Sequence, residues 1–278
     1  TQLAYQYGHA IAGGDEAARK RVSIVAVQPG WYDPGPLLGY INPIQPAAYV
    51  RTPVLEFLRR AIAEPERPHV LILDEMNLSR PEQYLAPLLS AMETGEAIDL
   101  HSEGDVHDGV ERRLPYPANL VIIGTVNMDE TTHGLSDKVL DRAFTLEFWQ
   151  IDLDDYAGWS RLSLPSGEVE QLRALLGQLL RALEPARLHF GWRVIDDVVD
   201  FLARNREHGD QLGFREALDA IIYAKVVPKL RGDDSLRFRT ALDETKKVAK
   251  QHGLARCLAK LDELDHDLRT TGSARFWR

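Results

Sequence analysis

Two unbroken aliphatic runs constrain this chain most. They are Val70-Leu71-Ile72-Leu73, halted by Asp74-Glu75, and Leu120-Val121-Ile122-Ile123, followed by Gly124-Thr125. A strand with one wet face alternates apolar and polar side chains. A strand apolar at every position is covered on both faces, as in a parallel sheet between layers of helix. The flanking segments supply those layers. Residues 2–12 carry Leu3, Ala4, Tyr7, Ala10 and Ile11 at helical spacing, and 53–63 and 81–93 predict two further helices. Val22 to Val27 predicts another strand, and a short helix near 137–142 leads to one more at 144–148. Segments around 97–101 and 110–114, joined by an acidic turn, predict a hairpin.

After Trp149 the pattern changes. Helical spacing recurs near 167–183, 191–206, 214–227, 235–251 and 254–268, with no convincing strand. The expected organisation is therefore an α/β domain over 1–155 and an all-α domain over 156–278.

Composition removes several classes. Among 278 residues, 33 Lys and Arg face 42 Asp and Glu, a net charge of -9. That balance argues against a general nucleic-acid coat. It is uneven, however: residues 228–278 hold 12 Lys and Arg against 8 Asp and Glu, an excess that solvated helix faces or a contact with DNA or a partner would explain. No apolar run approaches the ~20 residues of a membrane span, and no signal-like segment opens the chain, so a cytoplasmic protein without membrane contact is expected. Cys257, the single cysteine, excludes an internal disulfide and fits a reducing compartment.

Ligands of parallel sheets bind beyond the carboxyl ends of the strands. Asp74 and Glu75 fall there, where one carboxylate can hold a hydrated Mg²⁺ beside nucleotide phosphates and its neighbour can activate water. The plain alternative is a solvated acidic turn. Thr125 and Asn127 end the second run at the same sheet edge; the Asn127 amide can hold the attacking water or a phosphate oxygen, or simply cap the turn. Arg142 can reach a neighbouring subunit's site as an arginine finger, or form a surface pair with Asp141 or Asp137.

In order and spacing the three motifs resemble the second half of an AAA+ ATPase core, with Walker B, sensor 1 and arginine finger. The McrB-like branch, motor subunits of modification-dependent restriction systems, is the nearest likeness. LILDEMNLSRPEQYLAPLLSAME resembles its Walker B block, and PANLVIIGTVNMDETTHGLSDKVLDRAFTLEF its sensor 1 to arginine-finger block. The 93–117 hairpin is similar to its pre-sensor insertion. FGWRVIDDVVDFL and AKVVPKLRGDD resemble its helical lid. The resemblance implies a P-loop NTPase (AAA+) α/β fold, a parallel sheet sandwiched by helices and followed by an all-α lid. It also implies Mg²⁺ on Asp74, Glu75 as catalytic base, Asn127 as sensor 1, Arg142 acting in trans and Arg193 as sensor 2. The cofactors would be ATP or GTP with Mg²⁺. The partners would be further copies in a ring, a hexamer by analogy, a McrC-like nuclease subunit, and DNA through that partner or an upstream domain. The branch's Met-Asn-x-x-Asp-Arg-Ser signature reads here Val126-Asn127-Met128-Asp129-Glu130-Thr131-Thr132, so its Arg and Ser are replaced.

One part is absent. No G-x-x-x-x-G-K-[ST] phosphate loop occurs in the sequence. Thr1-Gln-Leu-Ala-Tyr-Gln-Tyr reads like the helix that follows such a loop, with Thr1 as the loop's own Thr. The expectation is that the first strand and phosphate loop lie upstream. Two other functions compete: a MoxR-like protein-remodelling ATPase, and a non-catalytic assembly module. Trp31, Tyr32 and Tyr40, in the Pro- and Gly-rich segment 28–49, either stack on bases or pack onto the sheet's edge. His101, His107 and His133 lack metal-ligand spacing and read as solvated loop residues.

Overall fold

The computed structural model describes residues 1–127, 133–148, 151–162, 164–188 and 190–277. The chain divides into two compact units, Thr1–Leu146 and Glu147–Arg278.

In the first unit three strands, β1 (Val22–Ala26), β2 (His69–Asp74) and β3 (Leu120–Gly124), form a parallel sheet in that order. Val22 pairs with Val70 and Ala26 with Asp74; His69 pairs with Leu120 and Leu73 with Gly124. The central strand is covered on both faces, and Val70, Leu71, Ile72 and Leu73 are fully buried. Helix α1 (Gln2–Ile11) packs close to the sheet because residue 8 is glycine: a Cβ there would stand 3.0 Å from a Val70 methyl. Helix α2 (Pro53–Ala63) starts where the Thr52 hydroxyl accepts from the Leu55 amide at 3.1 Å, with Pro53 in the first turn. Its Leu55 and Leu58 join Leu71 and Leu73 of β2 in one core.

Three expectations are corrected here. The helix expected over 81–93 is broken at Leu85 into a single turn, Pro81–Tyr84, and α3 (Ala86–Thr94). Pro87 has no N–H for the Gln83 carbonyl, which removes a bond across the break. The hairpin is real but doubled: Ile98–Asp99 pairs with Arg113–Leu114, and Val106–His107 with Val110–Glu111. Asp108 and Gly109, both at positive φ, close it. The strand expected at 144–148 does not form, and Phe144, Leu146 and Phe148 are exposed. A strand exists only within a ladder, and β3 pairs with β2 alone among the described residues.

The second unit holds α4 (Ser166–Leu183), α5 (Trp192–Glu207), α6 (Phe214–Lys225), α7 (Leu236–Gln251) and α8 (Ala255–Thr271) around one apolar core. A short antiparallel pair, Gly232–Asp233 with Ser273–Ala274, was not legible, since two residues carry no periodicity. Cys257 is buried, its amide bound to Asp219 at 2.9 Å, and burial pushes its thiol far above the ordinary range. No helix among the described residues is long and apolar enough to cross a membrane.

Candidate active site

Asp74 ends β2 and Thr125 follows β3, so the parallel register sets them side by side. The Thr125 hydroxyl donates to the Asp74 carboxylate at 2.7 Å and accepts from the Glu75 amide at 2.9 Å. The Thr1 hydroxyl also donates to Asp74, across 73 positions of sequence. These bonds, Thr1's first and then Thr125's, hold the Asp74 carboxyl below the ordinary carboxylate range against the opposing effect of its partial burial. Asp74 is therefore anionic at neutral pH.

Glu75 has φ 54° and ψ 46°, the left-handed region. That conformation costs a non-glycine residue about 1–2 kcal/mol. The neighbouring bonds over-determine it. The Met76 amide donates to the Thr125 carbonyl at 2.9 Å, and the Tyr84 hydroxyl, fully buried, donates to the Met76 carbonyl at 2.8 Å. A Cβ at Gly124 would fall 1.9 Å from the Met76 sulfur, so the Met76 side chain would have to shift to admit one. Strain of this kind concentrates at functional sites. The Asn127 amide reaches the Glu75 carboxylate at 3.2 Å. Beneath it Asn77, fully buried, donates to the carbonyls of Asn127 and His133 at 3.0 and 3.2 Å.

Thr1, Asp74, Glu75, Thr125 and Asn127 thus converge at the carboxyl end of the sheet. Sequence reasoning missed Asn77 and Tyr84, although Asn77 lies only two residues past Glu75. Arg142 forms a surface pair within the chain, but with a different acid from those expected. Its guanidinium pairs with Glu93 at the end of α3 and donates to the Lys138 carbonyl at 2.7 Å, rather than meeting Asp137 or Asp141. Arg193 is exposed in the first turn of α5 in the other unit, next to Trp192, whose ring stacks on Tyr156 at 5.6 Å. The signature stretch 128–132 lies outside the described residues.

The donors suit a hard cation. A carboxylate and two hydroxyls are oxygen ligands of the kind that hold a largely hydrated Mg²⁺. Among the described residues no group of three His, Cys, Asp or Glu could hold a metal unaided. The aromatic segment divides. Trp31 packs edge-on against Tyr84 at 5.5 Å and Ser79 ties its amide at 3.1 Å, while Tyr32 and Tyr40 are exposed. Of the histidines expected to be solvated, only His133 is exposed. His101 and His107 are half-buried against each other at 5.7 Å, within the folded hairpin.

A family profile described as Domain of unknown function (DUF8727) matches residues 150–273, within the helical part of the chain. No curated protein matches the chain.

Proposed function

We propose that the protein is the nucleotide-hydrolysing motor of an AAA+ assembly of McrB-like type. The observation that carries this reading is the convergence of Thr1, Asp74, Glu75, Thr125 and Asn127 beyond one strand end. Asp74, kept anionic by two hydroxyls, would hold Mg²⁺ with Thr1 beside it; the cation would neutralise phosphate charge there. Glu75 would accept the proton of the attacking water. Asn127, bonded to the Glu75 carboxylate, would orient that base and the water without adding charge. Arg142 would leave Glu93 to complete a neighbouring subunit's site in a ring, and Arg193 would contact nucleotide from the lid. ATP or GTP is the nucleotide class, and hydrolysis would drive DNA translocation with a McrC-like nuclease subunit. Oligonucleotide-stimulated hydrolysis separates this from a MoxR-like protein remodeller.

The reading requires a phosphate loop, which residues 1–278 do not contain. It also requires a strand along the open edge of β3, where the alternating Phe144, Leu146 and Phe148 would find cover. A form of the protein with Gly-Lys ahead of Thr1 is the one to assay. There Glu75→Gln should retain nucleotide binding and lower turnover by about 100-fold or more, the scale of general-base loss. Unchanged turnover would refute the assignment. Mixing Glu75→Gln with Arg142→Ala subunits should restore part of the activity if Arg142 acts in trans. For residues 1–278 alone, calorimetry with Mg-ATP and Mg-GTP should show weak binding or none; a non-catalytic assembly module is the alternative if the form with Gly-Lys ahead of Thr1 binds no nucleotide either.

A further inference from the structure

The carboxylates occupy one end of the sheet; the other end carries opposite charge. Strand β2 runs from His69 to Asp74, which sets the two ends about 16 Å apart at the usual rise per residue. Where β1 and β2 begin, a cleft of about 430 Å³ is lined by Lys20, Arg21, Arg60, Arg67, His69 and Glu64, with Ala17 beside them. Four cations and one carboxylate therefore meet in a unit where acids outnumber bases by 20 to 12 over residues 1–146.

The floor of the cleft is built from buried polar side chains. Arg21 is 7% exposed; its guanidinium donates to the Ala12 carbonyl at 2.6 Å and lies 3.5 Å from Asp15. His69 is 1% exposed, with Nδ1 3.0 Å from the Arg67 carbonyl and its ring against Phe57 at 5.5 Å. The rim is exposed. Lys20, Arg60 and Arg67 form no ion pair among the described residues, and Arg60 lies over the Phe57 ring at 5.7 Å. Four cations elsewhere in this unit meet carboxylates: Arg51 takes Asp108, Arg59 takes Glu56 and Glu111, Arg113 takes Asp99, and Arg142 takes Glu93. Four cations against Glu64 in the lining and Asp15 beside Arg21 leave an excess of positive charge that favours a polyanion, and guanidinium donors match phosphate oxygens in geometry.

We propose that this cleft binds the phosphodiester backbone of nucleic acid. Its cations come from three separate segments, before β1, on α2 and before β2, and charges spread over three segments fit a repeating anion better than a single one. Glu64 opposes the ligand and limits its affinity. This goes beyond the hydrolytic reading and does not depend on it.

Fluorescence anisotropy of a labelled single-stranded oligonucleotide with residues 1–278 at low salt tests the proposal. The triple variant Lys20→Gln, Arg60→Gln, Arg67→Gln should bind about tenfold more weakly or worse, with the salt slope reduced by about two to three. The double variant Lys20→Gln, Arg67→Gln, which leaves Arg60 on Phe57, should fall between triple and wild type and guards against misfolding. A charge-matched control at exposed cations outside the cleft, Arg112→Gln, Lys138→Gln, Arg204→Gln, should bind like wild type. Equal binding by wild type and the cleft variants, or no wild-type binding, would overturn the proposal. It would also be overturned if inorganic tripolyphosphate bound in a cleft-dependent way while oligonucleotide affinity stayed unchanged, since that outcome assigns the cleft to small polyphosphates.

Discussion

The two units spend their polar groups differently. Of the five polar or charged residues buried among those described, Arg21, His69, Asn77 and Ser79 belong to the sheet-containing unit, and only Thr245 to the helical one. Thr245 bonds the Ala241 carbonyl of its own helix at 2.7 Å, a bond within one turn. In contrast, Asn77 reaches 50 and 56 positions away to Asn127 and His133, and Ser79 reaches 51 positions to the Gln28 carbonyl at 2.9 Å. Burying a polar group is costly unless its bonds are satisfied. At Asn77 and Ser79 the sheet unit accepts that cost to hold distant backbone segments beside Asp74 and Glu75. The helical unit buries apolar side chains and leaves ion pairs such as Arg206 with Asp210 on its surface.

The largest stability effect should come from the core that both units share in kind. Ile72→Ala in β2 and Leu261→Ala in α8 should each cost about 2–5 kcal/mol in chemical denaturation, as cavities of this type do. Separate unfolding transitions, each moved by only one substitution, would sharpen the division into units. Next in size, Asn77→Ala should cost about 1–3 kcal/mol, because it strands two carbonyl acceptors. It should also disturb the amide signals around Asn127 and His133 in NMR spectra; a loss near zero would break the contrast drawn above. In the helical unit Ser235→Ala removes the hydroxyl that accepts from the Phe238 amide at 3.2 Å at the start of α7. About 1 kcal/mol should be lost there, with no change around Asp74.

The smallest effect concerns protonation. Thr125→Val deletes one of the donors to Asp74, so its carboxyl should titrate closer to the ordinary range in a carbon-13 NMR titration. The lowered pKa of Asp74 means that its contribution to stability is present above the unfolded value, about 3.9, and disappears as pH falls through the folded value. In the variant that contribution should be smaller. An unmoved titration would show that Thr1 alone holds the carboxylate.

Much of this arrangement was legible along the chain. The aliphatic run before Asp74 announced a buried strand and put two carboxylates at its end, and apolar spacing announced all five long helices of the second unit. What failed did so for particular reasons. Residues 144–148 have strand-like alternation but no ladder partner among the described residues. Pro87 broke a helix that side-chain spacing alone would continue. Arg142 has acids at 137 and 141, yet Glu93, 49 positions away, takes its guanidinium.

The sequence by itself therefore determined the buried run at 70–73 and the long helices of the second unit, because these follow from local backbone preference and the hydrophobic effect, whereas the equally aliphatic β3 leaves Val121 exposed. Only the tertiary structure decided that Thr1 meets Asp74, that Thr125 bridges Asp74 and the Glu75 amide, and that Lys20, Arg60 and Arg67 share one cleft. Those meetings depend on strands β1, β2 and β3 lying side by side in one register, and that pairing joins residues far apart in the chain.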